Sequence, residues 1–388
     1  MEFDLSWMLL GLPLAFVLGW LASRFDLRQI RADNRRAPKA YFKGLNFLLN
    51  EQQDQAIDAF IEAVQNDPDT SELHFALGNL FRRRGEYHRA VRVHEHLLSR
   101  GDLSPTDRDR AQHALALDFL KAGLLDRAEE ALGRLEGTAF EAQARLALLA
   151  IYERSRDWPQ AAAIARKMHA AQQGDFSTRQ AHYLCEQALT ALAQGDTEQG
   201  EALLRQALDA APGAARARIA LAQRQLKAGQ ASAALGTLQA LETLAPAALP
   251  LAAPLVVEAA VAAHRAPEML AWLQARYTEA PSLDLLAGIV ALETAVAAAP
   301  DSASIARRWY VQHLDKELSL VAATQWLAGE KLEHEDFHPQ VQRALDHAVK
   351  PLTRYRCAAC GFEARQHFWQ CPGCQTWDSY PARRIEEL

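Results

Sequence analysis

Apolar positions recur through most of the chain at the three- and four-residue spacing of a helix face, and paired faces return every 34 residues. In GLNFLLNEQQDQAIDAFIEAVQNDP the marking positions are Gly44, Phe47, Ala56, Phe60, Ala63 and Pro68. One period later, in GNLFRRRGEYHRAVRVHEHLL, stand Gly78, Phe81, Ala90, His94 and Leu97. Four further copies keep the pattern with less regular phase. They carry Ala116, Phe119, Ala128, Leu132 and Leu135; then Leu149, Tyr152, Ala161 and Met168, with DWPQA at the turn. Next come Ala188, Gly195, Gly200, Leu204, Ala207 and Pro212; then Ala222, Gly229, Ala234, Leu238, Leu241 and Pro246. Beyond Pro246 the pattern decays, although Leu270 to Pro281 and Leu285 to Pro300 still read as helical hairpins. The pattern predicts an all-α chain of six clear units and two or three degenerate ones.

These spacings resemble the tetratricopeptide repeat, a helix-turn-helix unit of 34 residues. A small residue early in its first helix lets the second pack close, and the later Ala and large apolar positions form the seam with the next unit. One unit cannot bury its apolar face alone. Stacked units share a core and curl into a superhelix whose concave surface holds a peptide or helix of another protein. Nothing in the repeat positions themselves is chemistry.

Two uncharged runs depart from this rhythm. From Leu5 to Ala22 eighteen residues carry no charge, with Trp7 and Trp20 near the two ends. A helix of that length covers roughly 27 Å, close to one hydrocarbon core. A cleaved signal peptide would need a positive start, but residues 1–4 carry Glu2 and Asp4. Positive charge follows instead, at Arg24, Arg28, Arg31, Arg35, Arg36, Lys39 and Lys43 against Asp26 and Asp33. The expectation is a retained single-pass anchor with its N-terminus periplasmic and the rest cytoplasmic. The second run, Leu244 to Ala263, contains Pro246, Pro250, Pro254 and Glu258. It is expected as a proline-punctuated connection into an Ala-rich helix rather than a second span.

Composition narrows the class further. With 49% hydrophobic and 23% charged residues the chain is neither disordered nor polytopic. A net charge of −6 and a pI near 6.1 argue against a nucleic-acid surface. Residues 139–300 are Ala-rich, which favours helix.

The chemistry is concentrated near the other end, in YRCAACGFEARQHFWQCPGCQTW. Cys357, Cys360, Cys371 and Cys374 form two CxxC pairs separated by ten residues. Two such turns place four thiolates around one tetrahedral ion. Gly361 and Pro372 suit the tight knuckles, and the pairs look like the rubredoxin type. The ligands alone leave zinc and iron open, and a closed shell of four sulfurs favours a structural role over hydrolysis. Phe362, Phe368, Trp369 and Trp377 are expected as packing around the knuckles. The fifth cysteine, Cys185, lies on a helical pattern and is expected to be buried. His334-Glu335-Asp336-Phe337-His338 matches HExxH, but Pro339 and polar flanks point to a loop with Pro339 opening the next helix. No local motif suggests catalysis. The expected organisation is an anchor over 1–23, a basic segment over 24–40, the repeat array over 41–350 and the metal module over 351–388.

Anchor, array and knuckles in that order resemble the lipopolysaccharide assembly protein B family of Gram-negative bacteria. The most specific residues are the cysteine-bearing tail above and the opening repeat, GLNFLLN followed by GNLFRRRGEY. The resemblance implies a non-enzymatic adaptor at the inner membrane, beside the membrane-anchored ATP-dependent protease FtsH. Its implied task is to promote breakdown of LpxC, the deacetylase committing precursor to lipid A, and to help gather other lipopolysaccharide-synthesis enzymes. It also implies iron as the ion at Cys357, Cys360, Cys371 and Cys374. Two other classes stay open: a general membrane scaffold or chaperone, and a redox protein using the knuckles. Homo-oligomer formation is left open as well.

Overall fold

The computed structural model describes residues 16–18, 20, 42–66, 70–297, 302–329 and 338–388. The expected anchor, apart from helical residues 16–18 and 20, and the basic segment lie outside the described residues. Among the described residues no helix is long and apolar enough to cross a membrane. The chain divides into two compact units, Met1–Ser155 and Arg156–Leu388.

The first unit is built of antiparallel helix neighbours: α1 (42–49), α2 (Gln53–Asn66), α3 (Ser71–Arg84), α4 (Tyr87–Ser99), α5 (Pro105–Ala122), α6 (Leu125–Gly133) and α7 (Glu141–Ser155). The marking positions of the repeat become its core: Ala56, Phe60, Ala63, Phe81 and Ala90 are each at most 3% exposed. The small residue of each unit is a place of close approach. A Cβ on Gly44 would stand 2.7 Å from the Phe60 ring, and one on Gly78 would stand 2.5 Å from the His94 ring. His94 thus occupies the site that Phe60 fills one repeat earlier. One of its ring nitrogens is met from α5, where Asp118 Oδ2 lies 2.5 Å from His94 Nδ1, both side chains being fully buried. Arg82 of α3 donates to the same carboxylate at 2.9 Å.

The second unit continues with α8 (Trp158–Ala170), α9 (Ser177–Ala193), α10 (Thr197–Ala210), α11 (Ala215–Lys227), α12 (Ala231–Gln239) and α13 (Leu241–Leu244). A 3₁₀ turn at Pro246–Ala248 leads to α14 (Leu249–Ala262), α15 (Ala266–Glu279), α16 (Leu283–Ala297), α17 (Ser302–Leu314), α18 (Leu320–Ala328) and α19 (His338–Val349). The DWPQA turn opens α8, with the Asp157 carboxylate accepting from the Gln160 N–H. The core of α12, α14, α15 and α16 includes Leu235, Leu238, Val256, Leu273, Leu286 and Ile289.

Three sequence expectations are corrected here. The proline-rich stretch is mostly helix, since the connection shrinks to the 3₁₀ turn and Pro250 and Pro254 both lie within α14. Pro250 falls in the first turn, where an N–H would have no intrahelical acceptor anyway. Leu270 to Pro281 and Leu285 onward are not two hairpins but parts of single helices, α15 and α16, which pair as one hairpin. Twelve residues make only about 18 Å of helix, too little for two arms. The helix after the HExxH match begins at His338, one residue before Pro339, and His338 Nε2 lies 3.3 Å from the Leu327 carbonyl. His334 and Glu335 lie outside the described residues.

Candidate metal centre

After α19 the chain leaves helix and forms two matching knuckles. In the first, strands β1 (Tyr355–Arg356) and β2 (Glu363–Ala364) pair antiparallel, Arg356 opposite Glu363. Within it the Cys357 N–H donates to the Phe362 carbonyl at 2.9 Å, and the Gly361 N–H donates to the Cys357 carbonyl at 2.9 Å. Fourteen residues on, Gln370 bridges Trp377, the Cys371 N–H reaches the Thr376 carbonyl at 3.0 Å, and the Gln375 N–H reaches the Cys371 carbonyl at 2.8 Å. The turn needs a left-handed residue, which is Gly361 at φ 77° in one knuckle and Gln375 at φ 60° in the other. Glycine takes that conformation freely, and Gln375 does so at some cost.

The knuckles bring together all four predicted cysteines. Their sulfurs lie within 4.8 Å of one another, with Cys357 Sγ 3.8 Å from Cys374 Sγ and Cys360 Sγ 3.7 Å from Cys371 Sγ. A tetrahedral ion with metal–sulfur bonds of about 2.3 Å has sulfur–sulfur edges of about 3.8 Å. The donor set therefore fits one ion of the zinc or iron type, and its identity is not fixed by these distances. Cys357 and Cys371 are buried, whereas Cys360 is exposed.

The local field prepares the sulfurs unequally. Burial pushes the Cys357 thiol up, but the Ser379 hydroxyl and the amides of Cys360 and Ala359 outweigh it and hold it at about 6. The Thr376 hydroxyl and amide also lower Cys374. At Cys360 the Phe362 amide favours the thiolate, yet desolvation and the sulfurs of Cys374, Cys357 and Cys371 carry it up to about 12. Four thiolates this close repel one another, so full ionisation calls for a cation among them.

Tyr355, Cys357, Cys371 and Tyr380 form a small buried cluster, joined by Phe368 and by Leu251 of α14. Tyr380 donates its hydroxyl to the Phe362 carbonyl at 3.0 Å. Trp369 packs against the core of α12 to α16. Phe362 packs at the rim, 45% exposed, against Gly373 of the second knuckle. Trp377 packs into a socket on the helices. There it stacks on His182 of α9 at 4.7 Å and meets Tyr183 at 5.9 Å and Trp158 of α8 at 6.1 Å, both edge-on. Asp378 Oδ2 lies 2.8 Å from His182 Nε2, and the Arg216 guanidinium of α11 stands 5.9 Å from the Trp377 ring. Sequence reasoning missed Trp158, His182, Tyr183 and Arg216, because no local pattern marks a helix face as a docking socket. Cys185 is buried as expected, its thiol pushed up to about 11 by burial.

Comparison with known proteins agrees with this architecture. Residues 355–380 match the model described as a rubredoxin metal binding domain, and residues 73–109 and 191–256 match tetratricopeptide repeat models. The lipopolysaccharide assembly protein B of Escherichia coli K12 is 29% identical over 396 aligned residues, covering 99% of this chain and 100% of that one. Its namesake from Haemophilus influenzae is 28% identical, covering 95% and 96%. Among solved structures, Naa15/Naa10 bound to HypK matches 82% of this chain and 48% of that one, at 14% identity and a TM-score of 0.46. With repeats and four-cysteine knuckles joined in one chain that aligns end to end with these relatives, the protein is similar over its full length to the lipopolysaccharide assembly protein B proteins.

Proposed function

We propose that the protein is a non-enzymatic inner-membrane adaptor that limits lipopolysaccharide synthesis by delivering the deacetylase LpxC to the membrane protease FtsH. In this reading residues 1–23 anchor the chain, with the N-terminus periplasmic, and residues 24–40 form the basic cytoplasmic flank. Residues 41–350 present helices to partner proteins. The module over 351–388 holds one iron or zinc ion through Cys357, Cys360, Cys371 and Cys374, and the ion's contribution is to hold the two knuckles together. Confinement to the membrane raises the effective concentration of partners already there.

The observation that carries the reading is the docking of the knuckle module on α8, α9 and α11 through Trp377 and Asp378, and on Leu251 of α14 through its buried cluster. A closed four-sulfur site set against repeat helices suits a structural part of a binding surface better than a reaction centre. The full-length relationship to proteins named for lipopolysaccharide assembly supports the pathway. The test is the lifetime of LpxC, followed by pulse-chase with and without this protein. A longer lifetime on depletion, reproduced by Cys371→Ser, is expected. An unchanged lifetime would overturn the reading and leave a general membrane scaffold.

A further inference from the structure

A cavity of about 570 Å³ lies where the last helices of the array meet the knuckle module. Its charged lining residues are Lys350, Arg365 and Arg384 against one carboxylate, Asp284. The Arg384 guanidinium donates to both oxygens of Asp284, at 2.8 and 3.0 Å, and to the Thr353 carbonyl at 2.8 Å, so these two charges cancel within the wall. Glu386 and Glu387 do not line the cavity. They accept instead from the amides of Leu320 and Val321 and from those of Leu283 and Arg384. Lys350 and Arg365 are exposed and have no carboxylate partner among the described residues. Two uncharged donors line the same cavity without a hydrogen-bond partner among the described residues. They are the Gln325 amide and the Tyr310 hydroxyl, which burial keeps all the more firmly protonated.

A single exposed cation is ordinarily just solvated. Here two of them share one concavity with two neutral donors, in a chain whose net charge is −6. The volume falls within the roughly 300–1,000 Å³ of small-molecule sites. A second cavity, of about 240 Å³ beside the 3₁₀ turn at Pro246–Ala248, makes the contrast. There Arg276 is paired with both Glu242 and Glu279, and with Arg383 the lining is neutral. The larger cavity instead offers two free cations and N–H and O–H donors, with its one carboxylate already taken. That set suits a dianion accepting at several oxygens. A carboxylate has one charge and two oxygens, whereas a phosphate monoester has close to two charges and three terminal oxygens. Leu283, Ala287 and Val321 add an apolar wall, which suits an organic body better than a bare ion.

We propose that this cavity binds a small phosphate monoester. Lys350 and Arg365 meet the phosphoryl oxygens, Tyr310 and Gln325 donate beside them, and the organic body lies against the apolar wall. A soluble sugar phosphate and the headgroup of a phosphomonoester lipid present the same chemistry. Lys350 follows α19 and Arg365 follows β2, so the bound ligand joins the end of the array to the module. The inference does not rest on the adaptor reading, because its readout is ligand binding alone.

The test uses the full metal-loaded chain in detergent, with equilibrium dialysis of two radiolabelled probes, glucose 1-phosphate and dihexanoyl phosphatidic acid. One ester per chain is expected, with weaker binding at high salt. Glucose should not bind, and inorganic phosphate should bind more weakly than the preferred ester. Tighter binding of the sugar phosphate assigns the soluble source, and tighter binding of phosphatidic acid the lipid one. Lys350→Gln and Arg365→Gln should each weaken binding about tenfold, the worth of one charge-assisted hydrogen bond. Both residues are exposed and unpaired, so these variants should keep their metal content and circular dichroism. Arg383→Gln, at the neutral cavity, should leave binding unchanged. Failure of both probes to bind, equal affinity for inorganic phosphate and the esters, or affinity indifferent to Lys350 and Arg365 would overturn the proposal.

Discussion

Trp377 lies nearly parallel to His182, ring centroids 4.7 Å apart at 19°, although the two are separated by half the chain. The stack ties the second knuckle to α9. The Ala358 N–H donates to the Ser379 carbonyl at 2.7 Å, and the Ser379 hydroxyl bears on the Cys357 sulfur. Two residues therefore separate a thiol contact from a helix contact, and order at the cysteines is mechanically joined to packing on α8 and α9.

Trp377→Ala should therefore act on the second unit alone. Removing a large aromatic side chain from a packed socket costs about 3 kcal/mol. Hydrogen exchange should show faster opening of α8, α9 and the knuckles, with exchange in α2 to α6 unchanged. A variant with unaltered exchange in α9 would reduce the stack to a surface contact.

Chelation of the ion, or Cys371→Ser, should produce a similar regional loss. Cys371 is fully buried, and without a cation the remaining sulfurs stay partly protonated and unlinked. Metal content and urea denaturation followed by circular dichroism, measured on the same samples, test this. The helices of the first unit should keep their midpoint, while the transition that includes Trp377 fluorescence moves to lower urea.

The sequence carried the repeat because packing there is local in register: Gly44 meets Phe60 and Gly78 meets His94, each sixteen residues on. It carried the four-cysteine site because thiolate spacing is fixed by the knuckle itself. It did not carry the socket for Trp377, since His182 and Asp378 are joined only by the tertiary fold, 196 residues apart. The contact of Glu386 with the start of α18 was hidden for the same reason, Glu386 being 66 residues from the amide of Leu320. Pro250 misled, because its tolerance depends on where α14 happens to start, whereas Pro254 lies inside the helix.

His313 of α17 gives the second unit a pH dependence. It is 3% exposed, with Nδ1 at 2.7 Å from the Tyr277 hydroxyl, and burial lowers its pKa. Between its folded and unfolded pKa values the unfolded chain binds more protons, so stability rises with pH there. The contribution is complete above the ordinary histidine range and is lost as pH falls through and below about 6.5. Urea midpoints at pH 7 and pH 5 should differ less for His313→Asn than for the unaltered chain, the metal's own pH dependence being common to both. Parallel slopes would remove His313 from the account.

The contact between Gly78 and His94 yields the sharpest test of the repeat. A methyl on Gly78 would stand 2.5 Å from both Cε1 and Nε2 of the imidazole. The ring cannot swing aside, because Asp118 holds Nδ1 at 2.5 Å and is itself held by Arg82. Gly78→Ala should therefore cost the first unit about 2 kcal/mol through overpacking. His94→Ala should cost more, since it opens a cavity and leaves the fully buried Asp118 with Arg82 alone. In the double variant the methyl enters vacated space, so the second substitution adds little or restores part of the loss. The cycle of urea midpoints should thus be strongly non-additive, with a coupling of about 1–2 kcal/mol. Additive losses would mean that α3 and α4 part to admit the methyl, and that close approach at this glycine is not what sets the spacing of the pair.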